Sequence, residues 1–172
     1  MASVAFADEM VGRTLQTLNE SSYKNNTIVV LFSDHGYNLG EKNFLFKYCL
    51  WEETTRVPLL LKAASYAKNV GRQVSHPVSL IDIYPTLQEL CKLEGSTVFN
   101  AKGKSTDGHS LVPFLENPKN HTWEGSDIAI TVITSWKSKK AKEQHLAARS
   151  ERYRYIHYLN GMEELYDHKK DP

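Results

Sequence analysis

The 172-residue sequence predicts an α/β fold that ends in a small antiparallel sheet. Three observations carry this expectation. An amphipathic helical pattern runs directly into a short, wholly apolar strand, which is half of a βαβ unit. A second apolar strand and a second helical pattern come after it. The final third of the chain then changes to short alternating segments joined by turn residues, the mark of antiparallel pairing.

Each element has its own local signal. Val4, Ala7, Val11, Leu15 and Leu18 recur at three- and four-residue steps, which predicts a helix from about Ser3 to Asn19. The polar run Asn19-Glu-Ser-Ser-Tyr-Lys-Asn-Asn26 ends it and feeds a strand from Thr27 to Phe32. A continuous β-branched, apolar run of that length predicts burial on both faces, as in parallel sheets. Tyr37 to Thr55 has no period and is expected to be irregular. Val57-Pro-Leu-Leu-Leu61 is the second strand, with Pro58 near its start, where a missing N–H is tolerated. Asp82 to Cys91 reads as a helix with Asp82 as N-cap and Pro85 in the first turn. Gly95 to Gly125 is loop-like, with turn signals at Asp107-Gly-His-Ser and Asn117-Pro. Ile128–Thr134, Leu146–Arg149 and Tyr153–Tyr158 alternate, and Asn160-Gly161 predicts a hairpin before Glu164–Asp167. The expected organisation is an α/β portion over 1–95, connecting loops over 96–126 and a small antiparallel subdomain over 127–172.

Composition sets outer bounds. Hydrophobic content of 41% and charged content of 24% are those of a globular chain long enough to bury a core. Lys and Arg total 21 against 20 Asp and Glu, so no global field favours nucleic acid or an anionic membrane. The basic run Lys137-Ser-Lys-Lys-Ala-Lys142 is local and reads as a solvated loop. No apolar stretch is long enough to span a bilayer, and no signal peptide precedes the first expected helix. Cys49 and Cys91 form no Cys-x-x-Cys pair, which argues against zinc ribbons and thioredoxin-type chemistry and makes buried free thiols the default reading, with one disulfide as the alternative. Sequons begin at Asn19, Asn25 and Asn120.

The chemistry concentrates at Ser33-Asp-His-Gly36, directly after the first strand. Ligands in α/β sheets collect beyond the carboxyl ends of strands, so Asp34 and His35 stand where chemistry is usually done. Gly36 lets the backbone turn and leaves room for a close-approaching group. Asp34 supplies hard oxygen and His35 an imidazole nitrogen, which together suit a divalent cation. The same tetrapeptide also fits a plain turn in which Asp34 bonds its own backbone.

The residues beyond Gly36 distinguish the two. Residues 33–60 contain Asp34-His-Gly36, Leu39-Gly-Glu41, Lys47 and Glu52-Glu-x-x-Arg-Val-Pro-Leu59, and this arrangement resembles the sulfatase family of the alkaline-phosphatase-like superfamily. Val78-Ser-Leu-Ile-Asp-Ile-Tyr-Pro-Thr-Leu87, Asp107-Gly-x-Ser-Leu111, Arg149-Ser-Glu-Arg-Tyr-Arg-Tyr-Ile156 and Glu163-Glu-Leu-Tyr-Asp-x-x-x-Asp-Pro172 extend the resemblance in the family's order. It implies the later part of an alkaline-phosphatase-like sandwich with a small C-terminal antiparallel sheet. It implies that Asp34 and His35 are two ligands of one cation, usually Ca2+, and that Lys47 contacts a sulfate ester carried by a small molecule or a sulfated glycan. Positive charge is needed where negative charge grows on the ester oxygens. Arg56 is expected to order its loop by pairing with Glu52 or Glu53. His76, His109, His121, His145, His157 and His168 lie outside any of these motifs; His145 falls near a position sometimes held by histidine in related sequences, with its spacing to Arg149 off by one.

The sequence departs from the family in two respects. Sulfatases use a Cys or Ser in a Cys/Ser-x-Pro-x-Arg signature, converted to formylglycine. Cys49 and Cys91 lack that context, Ser75-His-Pro-Val-Ser79 lacks the arginine, and no Asp-Asp pair completes the cation site. The expectation is therefore a fragment of a sulfuric ester hydrolase, inactive alone, whose missing amino-terminal part is its partner. Two alternatives stay open: a two-zinc phosphodiesterase or phosphatase of the same superfamily, and a non-catalytic truncated product. Family habit suggests an exported, periplasmic, extracellular or lysosomal protein.

Overall fold

The structure is a computed structural model that describes residues 2–98, 100–119, 122–135, 138 and 140–170. The sequon at Asn120, His121, part of the basic run (Lys137 and Lys139) and the terminal Asp171-Pro172 lie outside the described residues.

Helix α1 spans Ala2–Glu20, one residue beyond the expected helix at each end. Its lateral pairs are local: Arg13 donates to Glu9 at 2.6 Å, and the Thr14 and Thr17 hydroxyls donate to the carbonyls four residues back. Val11, Leu15 and Leu18 of the predicted stripe are half-buried, whereas Val4 and Ala7 are exposed. Met10, Val11 and Leu15 border the same apolar concavity as Val29 and Val30.

Strand β1, Val29–Phe32, pairs antiparallel with β2, Leu59–Lys62, setting Val29 opposite Lys62 and Phe32 opposite Leu59. This corrects the expectation of a doubly buried strand in a parallel sheet. Among the described residues β1 and β2 form a sheet of their own, and Leu31, Phe32 and Leu60 are exposed. An apolar run sets how much surface a strand can bury; it does not set the direction of the neighbour.

The stretch between β1 and β2 holds a 3-10 turn, Glu41–Asn43, and the short helix α2, Glu52–Thr55. Further on, a 3-10 turn at Leu80–Asp82 opens into helix α3, Ile83–Leu90. Asp82 caps the turn rather than α3. Its buried carboxylate accepts the N–H of Ser79 at 2.7 Å and, from a distant loop, the N–H of His109 at 2.9 Å. That loop lies so close that a Cβ on Gly108 would fall 2.2 Å from the Ile81 carbonyl oxygen. Thr86 completes the staple, donating to Asp82 O at 2.6 Å and accepting the Leu111 N–H at 2.8 Å. Helix α4, Val112–Glu116, falls inside the stretch expected to be loop; five residues are too few to show a period.

Strands β3 (Ala129–Ile133), β4 (His145–Arg149), β5 (Tyr153–His157) and β6 (Glu163–Asp167) form a four-stranded antiparallel sheet in sequence order. The β5–β6 hairpin turns at Gly161, whose φ of 82° is left-handed. The tightest core is Leu50, Ala147 and Ile156, with Trp51, Ile133, Tyr158 and Tyr166 packed around it. Leu50 and Trp51 come from the irregular stretch before α2, so that stretch is anchored on the C-terminal sheet. Both cysteines are free thiols; Cys49 is half-buried, and Cys91 is exposed rather than buried as expected. Among the described residues no helix is long and apolar enough to cross a membrane.

Candidate functional site

The turn after β1 is shaped by α2. The Gly36 N–H donates to Thr54 O at 2.9 Å, and a Cβ on Gly36 would lie 1.9 Å from Glu53 O. Only glycine permits this approach, which ties the Asp-His-Gly turn to the Glu-Glu-Thr-Thr segment. Asp34 projects outward with its side chain 81% exposed. Its Oδ1 accepts the His35 N–H at 3.0 Å, the self-bonded turn geometry, while Oδ2 lies 3.4 Å from His35 Nε2.

His35 Nδ1 stands 2.9 Å from the Gly36 carbonyl oxygen. A carbonyl only accepts, so Nδ1 carries the proton and Nε2 of the neutral ring presents its lone pair. The Lys47 ammonium donates to that lone pair at 2.9 Å. Asp34, His35 and Lys47, picked out of the sequence separately, are thus neighbours in space.

The loop bearing Lys47 is clamped on either side. Asn38, fully buried, donates its backbone N–H and Nδ2 to Phe46 O at 3.0 and 3.2 Å, and Nδ2 also to Cys49 Sγ at 2.9 Å. Thr54 Oγ1 donates to Cys49 O at 2.9 Å. In Leu39-Gly-Glu41, Gly40 adopts φ 125° and Glu41 Oε2 accepts the Leu39 N–H at 2.6 Å.

Glu52 does not pair with the Arg56 side chain as expected; Arg56 is exposed and its backbone N–H donates to Glu52 O at 2.8 Å. The Glu52 carboxylate goes instead to two arginines of the C-terminal sheet. Arg154 reaches Oε2 through Nε at 2.8 Å and Nη2 at 2.5 Å, and Arg149 through Nε at 3.1 Å. Burial pushes the Glu52 carboxyl up, but the hydrogen bonds and charges of Arg149 and Arg154 outweigh it and hold it below the usual value. His168 Nε2 lies 3.6 Å from Glu52 Oε2; burial chiefly, with the nearby arginine charges, holds its imidazole below its ordinary value against the pull of Glu52.

A second carboxylate, Glu164, gathers Trp51 Nε1–H at 3.0 Å, Tyr158 O–H at 2.9 Å and the Tyr166 hydroxyl, with the Lys42 ammonium 3.9 Å away. Burial and Glu164 push the Tyr158 phenol well up, and the donors around Glu164 hold its carboxyl down despite partial burial. Both acids fasten residues 42–52 to the sheet. Sequence reasoning missed this role, although Glu52-Glu53 and Arg149-Ser-Glu-Arg-Tyr-Arg154 were both visible as motifs.

The donor set fits a divalent cation in part. Asp34 offers carboxylate oxygen and His35 a correctly oriented Nε2 lone pair on one turn, and Asp34 is open enough to accept further ligands. Among the described residues no group of three or more His, Cys, Asp or Glu side chains is placed to hold a metal ion.

The fold, with the Asp34–His35 turn directly after β1, matches solved members of the alkaline-phosphatase-like superfamily over nearly the whole chain. The Sulfatase family model matches residues 1–93, and the chain belongs to the sulfatase family. It is 39% identical over its full length to a sulfatase of Formosa agariphila, of which it covers 30%. The chain thus spans about a third of the length of the curated relatives it matches. Its fold resembles the phosphonate monoester hydrolase of Agrobacterium radiobacter (TM-score 0.79, 28% identity, 98% of this chain and 34% of that one). It also resembles a protein solved in complex with its substrate D-glucosamine-2-N,6-O-disulfate (TM-score 0.73, 28% identity, 99% of this chain and 33% of that one).

Proposed function

We propose that this chain forms the later part of a sulfuric ester hydrolase and contributes two cation ligands, Asp34 and His35, and a sulfate-contacting lysine, Lys47. The observation that carries the reading is the His35 ring. Its Nδ1–H is spent on Gly36 O, and its Nε2 lone pair faces Lys47 at 2.9 Å beside Asp34 at 3.4 Å. A divalent cation such as Ca2+, held by Asp34 and His35, supplies positive charge for the ester oxygens when bound. Lys47 adds a compact, strongly hydrated ammonium that tracks the oxygens as charge grows on them. Gly36 and α2 fix the turn that carries Asp34 and His35.

The nucleophile comes from outside these residues, because no Cys or Ser here opens a Cys/Ser-x-Pro-x-Arg sequence. The rest of the same catalytic domain covers the face of Leu31 and Leu60, cross-strand partners that are exposed in this chain. The substrate class is a sulfate ester of a small molecule or sulfated glycan; the solved relative holding a disulfated glucosamine supports it. A second reading, phosphonate or phosphodiester hydrolysis on the same residues, is favoured by the likeness to the phosphonate monoester hydrolase.

A chimera tests both. The corresponding segment of the Formosa agariphila sulfatase is replaced by this chain and assayed with aryl sulfate and aryl phosphonate esters, alongside the isolated chain. The expected result is sulfate hydrolysis by the chimera, lost in Asp34→Ala, and none by the isolated chain. Preference for the phosphonate would establish the second reading, and turnover by the isolated chain would overturn the assignment of the nucleophile.

A further inference from the structure

We propose that Glu52 and Arg154 are positioning residues that set the relation between His35 and Lys47 from the C-terminal sheet. The inference rests on the reading of Asp34, His35 and Lys47 as the site, and adds the part that aligns them. Arg154, on β5, is 3% exposed and grips the start of α2 and the residues leading into it: its Nε and Nη2 hold Glu52 Oε2, and its Nη1 donates to Leu50 O at 3.0 Å. Side chain and backbone are therefore fixed by one planar fork.

From α2 two routes leave for the site. Thr54 O accepts the Gly36 N–H, and Gly36 O holds His35 Nδ1. Thr54 Oγ1 holds Cys49 O, Cys49 Sγ accepts from Asn38 Nδ2, and Asn38 binds Phe46 O, the carbonyl preceding Lys47. One short helix thus supports both halves, the imidazole on one side and the ammonium on the other. A displaced α2 moves each half through a different set of bonds, so their separation of 2.9 Å is set by α2. Each link is a hydrogen bond or a direct backbone contact, and the sheet end of the path is buried.

The arginines also need Glu52. Arg149 and Arg154 are direct cross-strand partners on β4 and β5. Like charges in that register repel, and Glu52 bridges them. Withdrawing its charge frees Arg154 from the segment it holds.

The test reads the His35 ring by nitrogen NMR in the 172-residue chain at mildly alkaline pH, which needs neither cation nor ester. Wild type is expected to show the Nδ1–H tautomer. Glu52→Gln and Arg154→Lys are expected to give a tautomer mixture and to speed Gly36 amide exchange roughly tenfold or more relative to β3–β6 amides. Arg152→Ala, which breaks the Arg152–Asp167 pair of the same sheet away from this path, is expected to leave the ring unchanged. If Glu52→Gln does not fold, Glu52→Asp decides, since it keeps the charge and only withdraws the carboxylate. A folded Glu52 or Arg154 variant with a wild-type ring signature and Gly36 protection overturns the proposal, as does a ring equally disturbed by Arg152→Ala. The sulfatase reading fails on a different measurement, the chimera's substrate preference.

Discussion

The Lys47 ammonium donates to Nε2 of His35 at 2.9 Å, and so occupies the lone pair that a cation on this turn would take. In the proposed reading, lysine and cation would compete for one atom. A bound metal would displace Lys47 from Nε2 and leave its charge free to face an incoming anion.

The first prediction concerns that competition. With two protein donors, calcium affinity of the isolated chain is expected at about millimolar or weaker. Calorimetric titration should show Asp34→Ala abolishing the heat and Lys47→Ala strengthening binding, because a competing donor and a like charge are both removed. Micromolar affinity in wild type would mean that other ligands complete the site.

In the chimera, Lys47→Ala should lower turnover about 10²–10³-fold, the range for removing one charged stabiliser of a developing oxyanion. Lys47→Arg should restore only part, because a planar fork does not sit where a compact ammonium does. The melting temperature should hardly move. Wild-type kinetics in the alanine variant would reduce Lys47 to a loop residue.

Gly36→Ala places a methyl group 1.9 Å from Glu53 O, against backbone that cannot step aside. A loss of about 2–4 kcal/mol is expected in urea unfolding. Gly12→Ala is the built-in contrast: it lies inside α1 with nothing within 4 Å, and should gain about 0.5–1 kcal/mol.

Stability should fall with acid in two steps. His168 has its folded value held below the ordinary 6.5, so its protonation favours the unfolded chain, and its contribution is lost as pH falls from 6.5 through the folded value. Glu52 has its folded value below 4.5, so its contribution is complete above 4.5 and lost below it. Melting temperature against pH checks this: His168→Asn should flatten the upper step and Glu52→Gln the lower one.

The features legible in the sequence are those that short-range pattern can encode. Helix α1, the four strands of the C-terminal sheet and the Asn160-Gly161 turn each rest on a period or a turn residue within a few positions. Asp34, His35 and Lys47 could be singled out by residue type and order, and the structure brings them together. The direction of β1 against β2 was not legible, since it depends on how a long excursion returns. Nor were the partners of Glu52, which lie 97 and 102 residues away; Arg56 was nearer in sequence, but the carboxylate pairs with Arg149 and Arg154. Asp82 shows the same limit, because one of its two backbone partners, His109, is 27 residues off.

The register that sets Arg149 against Arg154 has a consequence for the order of events during folding. The β4–β5 hairpin is short and local, the kind of unit that ordinarily forms early. Here its end carries two facing positive charges whose counter-ion arrives from far upstream in the chain. The rung beside the hairpin's turn therefore carries unneutralised like charges until the segment around Leu50 and Glu52 docks. A chain paused before that docking keeps the two charges face to face, and the Asp34–His35 turn waits with it.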